Sequence, residues 1–313
     1  MPPPSRRPSP ARSRGNGRCW TPTPGWRESL HSASRALAGY LFVAPAVFVL
    51  LAVLVYPALT TFRLSLSLPD GRLGVGHYGQ LFSDPLFWQV VRQTAVFVAG
   101  SVAAHLLLGL GAALALAGAV PACGAFRVIV LLPWVVPDVV AGIVWKWILN
   151  PLYGLLNDLL MATGLIPQPW EWLTHPTLAP LSVLLANVWR GFPFVMVILL
   201  AGLQSIPQEL YEAASLDGAG PWARFRSVTL PGLRKVLVVA LALDTIWEVR
   251  RFGLVQAMTG GGPGTVTEVL STQVFKQYFQ FYRFEYASAM AVAMTALLLV
   301  VSLPYVRMIM REE

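Results

Sequence analysis

The sequence predicts an all-α membrane protein with six transmembrane helices. Of its 313 residues, 56% are hydrophobic and 12% are charged, and the mean hydropathy is +0.60, a balance that no soluble domain of this size tolerates. A helix needs about 20 apolar residues to cross a bilayer. Continuous apolar runs of that length predict spans near residues 37–60, 93–118, 127–148, 181–204, 235–256 and 286–307. Transmembrane strands would show alternating residues instead, so they are excluded.

The distribution of basic residues predicts the orientation. Cytoplasmic flanks of membrane helices carry an excess of arginine and lysine. If the N-terminus is cytoplasmic, 14 of the 23 basic residues lie on that side, whereas the segment from about 149 to 180 contains none. That segment carries Asp158 and Glu171 instead. We therefore expect an N-in, C-in topology, with the loop between the fourth and fifth spans in the cytoplasm.

The chain divides by composition into three parts. Residues 1–35 are rich in proline, serine and arginine and have little apolar surface to bury, which predicts a disordered basic cytoplasmic tail. Residues 36–308 form the transmembrane domain, and residues 309–313 form a short C-terminal tail. The Arg6-Arg7 pair is not a twin-arginine signal, because the next apolar segment begins about thirty residues later and is too long.

The remaining composition gives no sign of an enzyme or of a cofactor. Cys19 and Cys123 have no metal-ligand spacing, and the four histidines lie in separate segments without an HExxH pattern. The Gly260–Pro263 cluster lacks the Gly-Lys pair of a phosphate-binding loop, so we expect a structural turn there. The net charge of +8 reflects the orientation rather than nucleic-acid binding. No cofactor and no metal are expected on this chain.

A polar loop at 205–232 separates the fourth and fifth spans. Ser205 is a predicted N-cap and Pro207 an early helix position, so a short helix is expected from about Pro207 to Gly218. The Gly-Pro pair at 220–221 then breaks the helix before a second, basic and aromatic segment. We expect this loop to project from the membrane into the cytoplasm.

The order of residues in this loop resembles the EAA loop of ABC importer permeases. The segment Glu212-Ala-Ala-Ser-Leu-Asp-Gly-Ala219 is followed by Phe225 and Pro231. It is similar to the loop in the branch that imports sugars and glycerol phosphate, which includes the larger membrane subunit of maltose transporters. Other family-like stretches extend the resemblance over roughly residues 36–308. The implied fold is that of a type I ABC importer permease.

This resemblance implies a bacterial cell-membrane transport subunit that is not itself an enzyme. In the family, the EAA helix fits a cleft on a separate ATP-hydrolysing subunit, whose closure drives alternating access. The coupling residues implied here are Glu212, Ala213, Ala214, Asp217, Gly218 and Ala219. The implied partners are a second permease subunit in a heterodimer, two ATPase subunits, an extracytoplasmic solute-binding protein, and a sugar or sugar-like solute.

Charged residues inside the fourth and fifth spans need a protein environment. Each costs at least about 2.5 kcal/mol at a lipid-facing helix centre. Asp244, Glu248 and Arg251 have the i, i+4, i+7 spacing that places them on one helix face. This face either ties helices together in a salt-bridge network, with Glu248 and Arg251 neutralising each other, or lines a polar translocation path. His105 in the second span is expected to be a packed polar residue.

The resemblance also implies a solute site in the middle of the fourth and fifth spans. The matching positions are Trp189, Arg190, Gly191, Phe194, Trp247, Glu248 and Arg251. Aromatic faces would stack on sugar rings, and charged groups would bond to hydroxyls. The Arg250-Arg251 pair and Asp138 depart from the usual family pattern. An arginine-lined path favours an anion such as glycerol phosphate, whereas carboxylates beside aromatic residues favour a neutral sugar, and the sequence leaves both open.

Two other classes of protein compete with this interpretation. A secondary transporter would use Asp244 and Glu248 to bind a coupling cation, but many such transporters have repeated halves with interrupted helices, and no convincing repeat is visible. A membrane-embedded enzyme would need catalytic side chains clustered at one membrane face, and the histidines and serines show no such constellation.

Overall fold

The computed structural model describes residues 40–68, 70–118 and 123–310. The predicted N-terminal tail and residues 311–313 lie outside the described residues. The described residues divide into two compact units, the first ending at Ala58 and the second beginning at Leu59. Most of helix α1, Tyr40–Ser65, belongs to the first unit. This helix is long and apolar enough to cross a membrane, and it contains a π-helical turn at Leu51–Val55.

The described part of the second unit is helical apart from its connections and a single antiparallel bridge between Ser67 and Leu73. Its helices are α2 (Gly76–Ser83), α3 (Pro85–Ala117), α4 (Cys123–Val135), α5 (Asp138–Ile148), α6 (Leu155–Ala162), α7 (Leu178–Gln204), α8 (Gln208–Leu216), α9 (Pro221–Arg224), α10 (Leu230–Val249), α11 (Gly253–Met258), α12 (Leu270–Phe275) and α13 (Phe284–Met310). Two π-helical turns, Phe225–Thr229 and Lys276–Gln280, follow α9 and α12. The predicted all-α class is confirmed.

Four helices of the described residues have the length and hydropathy of membrane spans. They are α1, α3, α7 and the Phe284–Met308 part of α13, and they correspond to the first, second, fourth and sixth predicted spans. The final helix continues to Met310, slightly beyond the predicted end of the transmembrane domain at 308. The count of six spans and the N-in, C-in orientation stay predictions.

The third predicted span, 127–148, is wrong as a continuous helix. Its two halves, Phe126–Val135 and Asp138–Ile148, meet at an angle of 99°. Pro137 explains the break, because it lacks a backbone N–H and disfavours helical backbone at Val136. It has φ −57° and ψ 142° and forms the N-cap of α5. Hydropathy alone misses this corner, since apolar residues continue through it.

The fifth predicted span, 235–256, is also interrupted. Helix α10 begins earlier, at Leu230, and ends at Val249, and the chain turns before α11 begins at Gly253. The backbone amide of Arg250 donates to the carbonyl of Trp247 at 3.2 Å, a tight final turn that closes the helix. Because the chain turns here, the side chains of Arg250 and Arg251, the two residues after Val249, point in different directions.

Helices α3 and α7 pack along each other at the centre of the second unit. Glycine allows the close approach, because a Cβ at Gly109 would lie 3.0 Å from the backbone nitrogen of Met196 and one at Gly191 would lie 2.3 Å from the His105 ring. Helix α10 joins this pair through a buried cluster that includes Leu199 and Leu233. The α4–α5 corner lies beside α7, and a polar cavity opens among these elements.

Candidate functional site

A cavity of about 360 Å³ lies among α7, α10 and the α4–α5 corner. It is lined by Trp134, Asp138, Arg190, Gly191, Phe194, Asp244, Trp247, Arg250 and Arg251. Three aromatic rings and ionisable groups of both signs therefore face one space. A cavity with this mixture can hold a polar ligand that also has an apolar face.

The aromatic residues form one wall of the cavity. The Phe194 ring lies between two indoles, with its centroid 5.8 Å from that of Trp134 and 4.4 Å from that of Trp247. The ring of Trp134 is inclined by only 20° to that of Phe194, so the two are stacked. Three helices, α4, α7 and α10, each supply one ring. The wall is therefore a product of tertiary packing rather than of one helix face.

Asp138, which also lines the cavity, is held by two arginines. Its carboxylate accepts from Arg190 at 2.8 Å and from Arg251 at 3.1 Å. Arg190 also donates from Nε to the carbonyl of Val136 at 3.0 Å. That carbonyl lies at the break between α4 and α5, where the helical hydrogen bonds are interrupted. Arg190 therefore supports the corner as well as balancing the charge of Asp138.

A second group of polar residues is buried behind the cavity wall. Glu248, with 1% of its surface exposed, forms a close ion pair with Arg251 and accepts from the Asn187 amide at 2.6 Å. Asn187 also donates to Ser101 at 2.9 Å. These bonds join α3, α7 and α10 through groups that would each be costly to bury alone.

Asp244 has its own partner in this region. Its carboxylate lies 3.0 Å from Nδ1 of His105, and the other ring nitrogen lies 3.3 Å from the carbonyl of Asn187. His105 is completely buried, as expected for a packed polar residue. The internal salt-bridge network and the polar cavity are thus both present, and they adjoin each other.

The same region contains three side chains with metal-binding chemistry. Ligand atoms of His105, Asp244 and Glu248 lie within 4.8 Å of one another. Hydrogen bonds and ion pairs to Asn187 and Arg251 already engage this group, and the positive guanidinium beside Glu248 opposes a second cation there. We therefore interpret the three residues as part of the internal polar network.

At the start of the loop between α7 and α10, the predicted N-cap of the short helix is wrong. Ser205 does not cap α8, because its hydroxyl donates backwards to the carbonyl of Gly202 at 2.7 Å, and Pro207 occupies the N-cap position without a side-chain bond. Helix α8 nevertheless spans Gln208–Leu216, within the predicted limits. Gly218 follows with φ +79°, a backbone conformation that glycine adopts without steric cost.

The loop is tied to α9 and to the π-helical turn Phe225–Thr229, while four of its six motif residues remain exposed. Tyr211 lies 3.1 Å from the Thr229 hydroxyl, and Arg224 donates to Ser215 at 3.2 Å. Of the motif residues, Glu212, Ala213, Asp217 and Gly218 are exposed, whereas Ala214 and Ala219 are half-buried. Leu216 and Trp222 are also open to solvent, with 90% and 73% exposed.

Residues 105–310 match the family described as binding-protein-dependent transport system inner membrane component. This chain belongs to that family. Its members are membrane subunits of ABC importers, so the chain is a permease of the inner membrane. The type I permease fold and the assignment to a transport subunit are confirmed, and the secondary-transporter alternative gains no support.

The sequences of relatives align with the permease along most of its length. The trehalose/maltose transport system permease protein of Thermococcus litoralis is 40% identical over 249 residues, which cover 78% of this chain and 84% of the relative. The sulfoquinovosyl glycerol transport system permease protein of Agrobacterium fabrum is 36% identical, with 93% and 96% covered. The structure of a bacterial ABC transporter that imports the acidic polysaccharide alginate superposes with a TM-score of 0.79 at 23% identity. That superposition covers 91% of this chain and 99% of the other, and it supports the fold.

The permease brings five of the seven predicted solute-path residues to the cavity. They are Arg190, Gly191, Phe194, Trp247 and Arg251. Trp189 points elsewhere and packs edge-on against Trp145, with ring centroids 5.8 Å apart. Glu248 lies behind the cavity in the ion pair with Arg251. Adjacent positions on a helix differ by about 100°, and here Trp189 is turned toward Trp145 of α5 while Arg190 faces the cavity.

The predicted path omits four residues that do line the cavity. Trp134 and Asp138 come from the α4–α5 corner, and Asp244 and Arg250 come from α10 and its end. The prolines at 133 and 137 could have pointed to Trp134 and Asp138. Prolines so close together indicate a helix break, at which side chains can turn inward. Asp244 and Arg250 were visible as intramembrane charges, but their directions depend on packing.

Proposed function

We propose that this permease carries a sugar or sugar-like solute and forms half of the translocation path of an ATP-driven importer. The observation that carries the proposal is the cavity, whose lining combines the aromatic wall of Trp134, Phe194 and Trp247 with ionised side chains. The C–H faces of a sugar pack on aromatic rings, while its hydroxyls bond to charged groups. The trehalose/maltose and sulfoquinovosyl glycerol systems named for two relatives support the same class of solute.

The loop from α8 to α9 is the proposed coupling element. Exposed Glu212 and Asp217 can bond to basic or amide groups of a separate ATPase subunit, and exposed Leu216 can fill an apolar cleft. The loop directly connects α7 with the helical segment that leads into α10. Both helices line the cavity. Movement of the loop would therefore reach the solute site through two continuous helices.

The proposed assembly contains a second permease subunit, two ATPase subunits and an extracytoplasmic solute-binding protein. One permease chain supplies one coupling loop, so two ATPase subunits require a second loop from another chain. We propose that this second chain is a related permease, which makes the pair a heterodimer. The proposed N-in, C-in orientation, with a transmembrane domain spanning about residues 36–308, would put the loop in the cytoplasm, where ATP is available. No ATP hydrolysis is assigned to this chain.

Purification of the assembled complex with its binding protein tests the proposal. ATPase activity is measured with a panel of sugars, polyols and glycerol phosphates. We expect an ATPase to co-purify and at least one sugar or sugar-like compound to stimulate it. Failure of every compound to stimulate, together with the absence of a co-purifying ATPase, would contradict the proposed function.

A further inference from the structure

The three arginines of the cavity are not equivalent. Arg190 and Arg251 both bind Asp138, and Arg251 also binds Glu248. Arg250 is exposed, and it forms no ion pair with a carboxylate in the part of the chain that the structure describes. The positive charges of the first two are therefore engaged by the protein, whereas that of Arg250 is available.

The end of α10 explains why neighbouring arginines differ. The helix stops at Val249, and Arg250 has φ −94° and ψ 7°, outside regular helical geometry. Arg251 turns inward to the buried carboxylates, and its carbonyl accepts a hydrogen bond from Ser271. Arg250 remains on the cavity side of the turn. Both arginines line the cavity, but Arg251 is bound to carboxylates of the chain, whereas Arg250 has no such partner among the described residues.

The acidic groups near the cavity are already occupied. Asp138 accepts from two arginines, Asp244 faces His105, and Glu248 is bound by Arg251 and Asn187. Each of these carboxylates has a hydrogen-bonding partner in the chain, whereas the Arg250 side chain in the cavity lining has none among the described residues. Arg250 shares this cavity with three aromatic rings, and a cation near a protein surface attracts an anion more strongly than in bulk water because the effective dielectric constant is lower there.

We propose that Arg250 determines specificity by binding an anionic group, such as a phosphate, sulfonate or carboxylate, on the solute. The inference rests on the proposed function and narrows it to anionic sugars or sugar-like compounds. The planar guanidinium suits bidentate bonding to such groups. In this arrangement the wall of Trp134, Phe194 and Trp247 takes the sugar ring, and Arg250 takes its charged substituent.

The test compares two probes that share one ring skeleton, trehalose and trehalose 6-phosphate. Their affinities for the assembled complex are measured by equilibrium dialysis without the binding protein, so that its own selectivity does not contribute. We expect the wild-type complex to bind the phosphorylated probe about 10- to 100-fold more tightly, the range that one charge-assisted hydrogen-bonded contact supplies. Arg250→Gln should remove this preference, and Arg250→Lys should retain part of it.

Arg72→Gln is the matched control, because Arg72 is an exposed arginine outside the cavity whose partner is Asp70. It should keep the wild-type preference. Gel filtration of each variant checks that the complex assembles, which we expect because Arg250 makes no internal ion pair to lose.

Two results would overturn the assignment while leaving the importer function intact. One is equal affinity for both probes, or a preference unchanged in Arg250→Gln. The other is no binding of either probe by a complex whose ATPase is stimulated by a sugar and its binding protein. If no ATPase co-purifies and no sugar stimulates, the proposed function fails as well, so the two failures can be distinguished.

Discussion

The buried polar network and the coupling loop use charged residues in opposite ways. In the network, Glu248 and Arg251 are almost inaccessible and bound to each other and to further partners. In the loop, Glu212 and Asp217 are exposed and form no ion pair within the described ranges. Charges satisfied inside the chain define its structure, whereas exposed charges without partners remain free to recognise another molecule. Arg250 lies close to the network but belongs by this criterion with the loop.

Arg251→Met breaks the network and has the largest expected effect. It leaves Glu248 and Asp138 without one of their cations, and removal of one member of a buried pair costs about 3–5 kcal/mol. We expect loss of the assembled complex, measured by yield and thermal unfolding. Glu248→Gln combined with Arg251→Met should recover part of the stability. If Arg251→Met assembled and melted like the wild type but did not transport, Arg251 would act in the translocation path instead.

Gly191→Ala tests the packing beneath the network. The added Cβ would lie 2.3 Å from the His105 ring, in a fully buried contact between α3 and α7. Overpacking of this kind costs about 1–3 kcal/mol, so the melting temperature should fall. Gly111→Ala is the control, because a Cβ at this position on α3 meets no atom within 4 Å. An unchanged melting temperature for Gly191→Ala would show that the helices separate without penalty.

Gly218→Val tests the loop. A β-branched residue at φ +79° is strained by about 1–2 kcal/mol, and the strain falls on an exposed turn rather than on the core. The complex should assemble and hydrolyse ATP, but uptake in proteoliposomes should decrease. Gly220→Ala provides the comparison, since Gly220 has φ −67° and open space around its Cα. Wild-type uptake by Gly218→Val would argue against a coupling role for this turn.

Asp70→Asn should have the smallest effect. The pKa of the Asp70 carboxyl lies below its ordinary value because it accepts hydrogen bonds from the backbone amide and the side chain of Arg72. Because the pKa is lower in the folded state, the carboxylate stabilises the fold at pH values above its ordinary pKa. This contribution disappears as the pH falls through the lowered pKa. Solvent screens the exposed pair, so the variant and the wild type should melt together at neutral pH. A clear difference there would mean that exposed pairs also define the structure.

Local patterns predicted more of the fold than of the site. Apolar runs located α3, α7 and α13 because membrane crossing depends on composition over a long window. The loop helix was predictable from Pro207 and Gly218, which act on their own backbone. The bonds of Arg190 were not predictable, since its carbonyl partner, Val136, lies 54 residues away in the sequence. Which of Trp189 and Arg190 faces the cavity was likewise decided by long-range packing.

The position of Arg190 has a mechanical consequence. Its guanidinium is fastened to residues on both sides of Pro137, through the Val136 carbonyl and the Asp138 carboxylate, while Phe194 one turn further on stacks against Trp134. The α4–α5 corner therefore cannot swing away from α7 without breaking these contacts together. We therefore expect the corner and α7 to move together rather than independently.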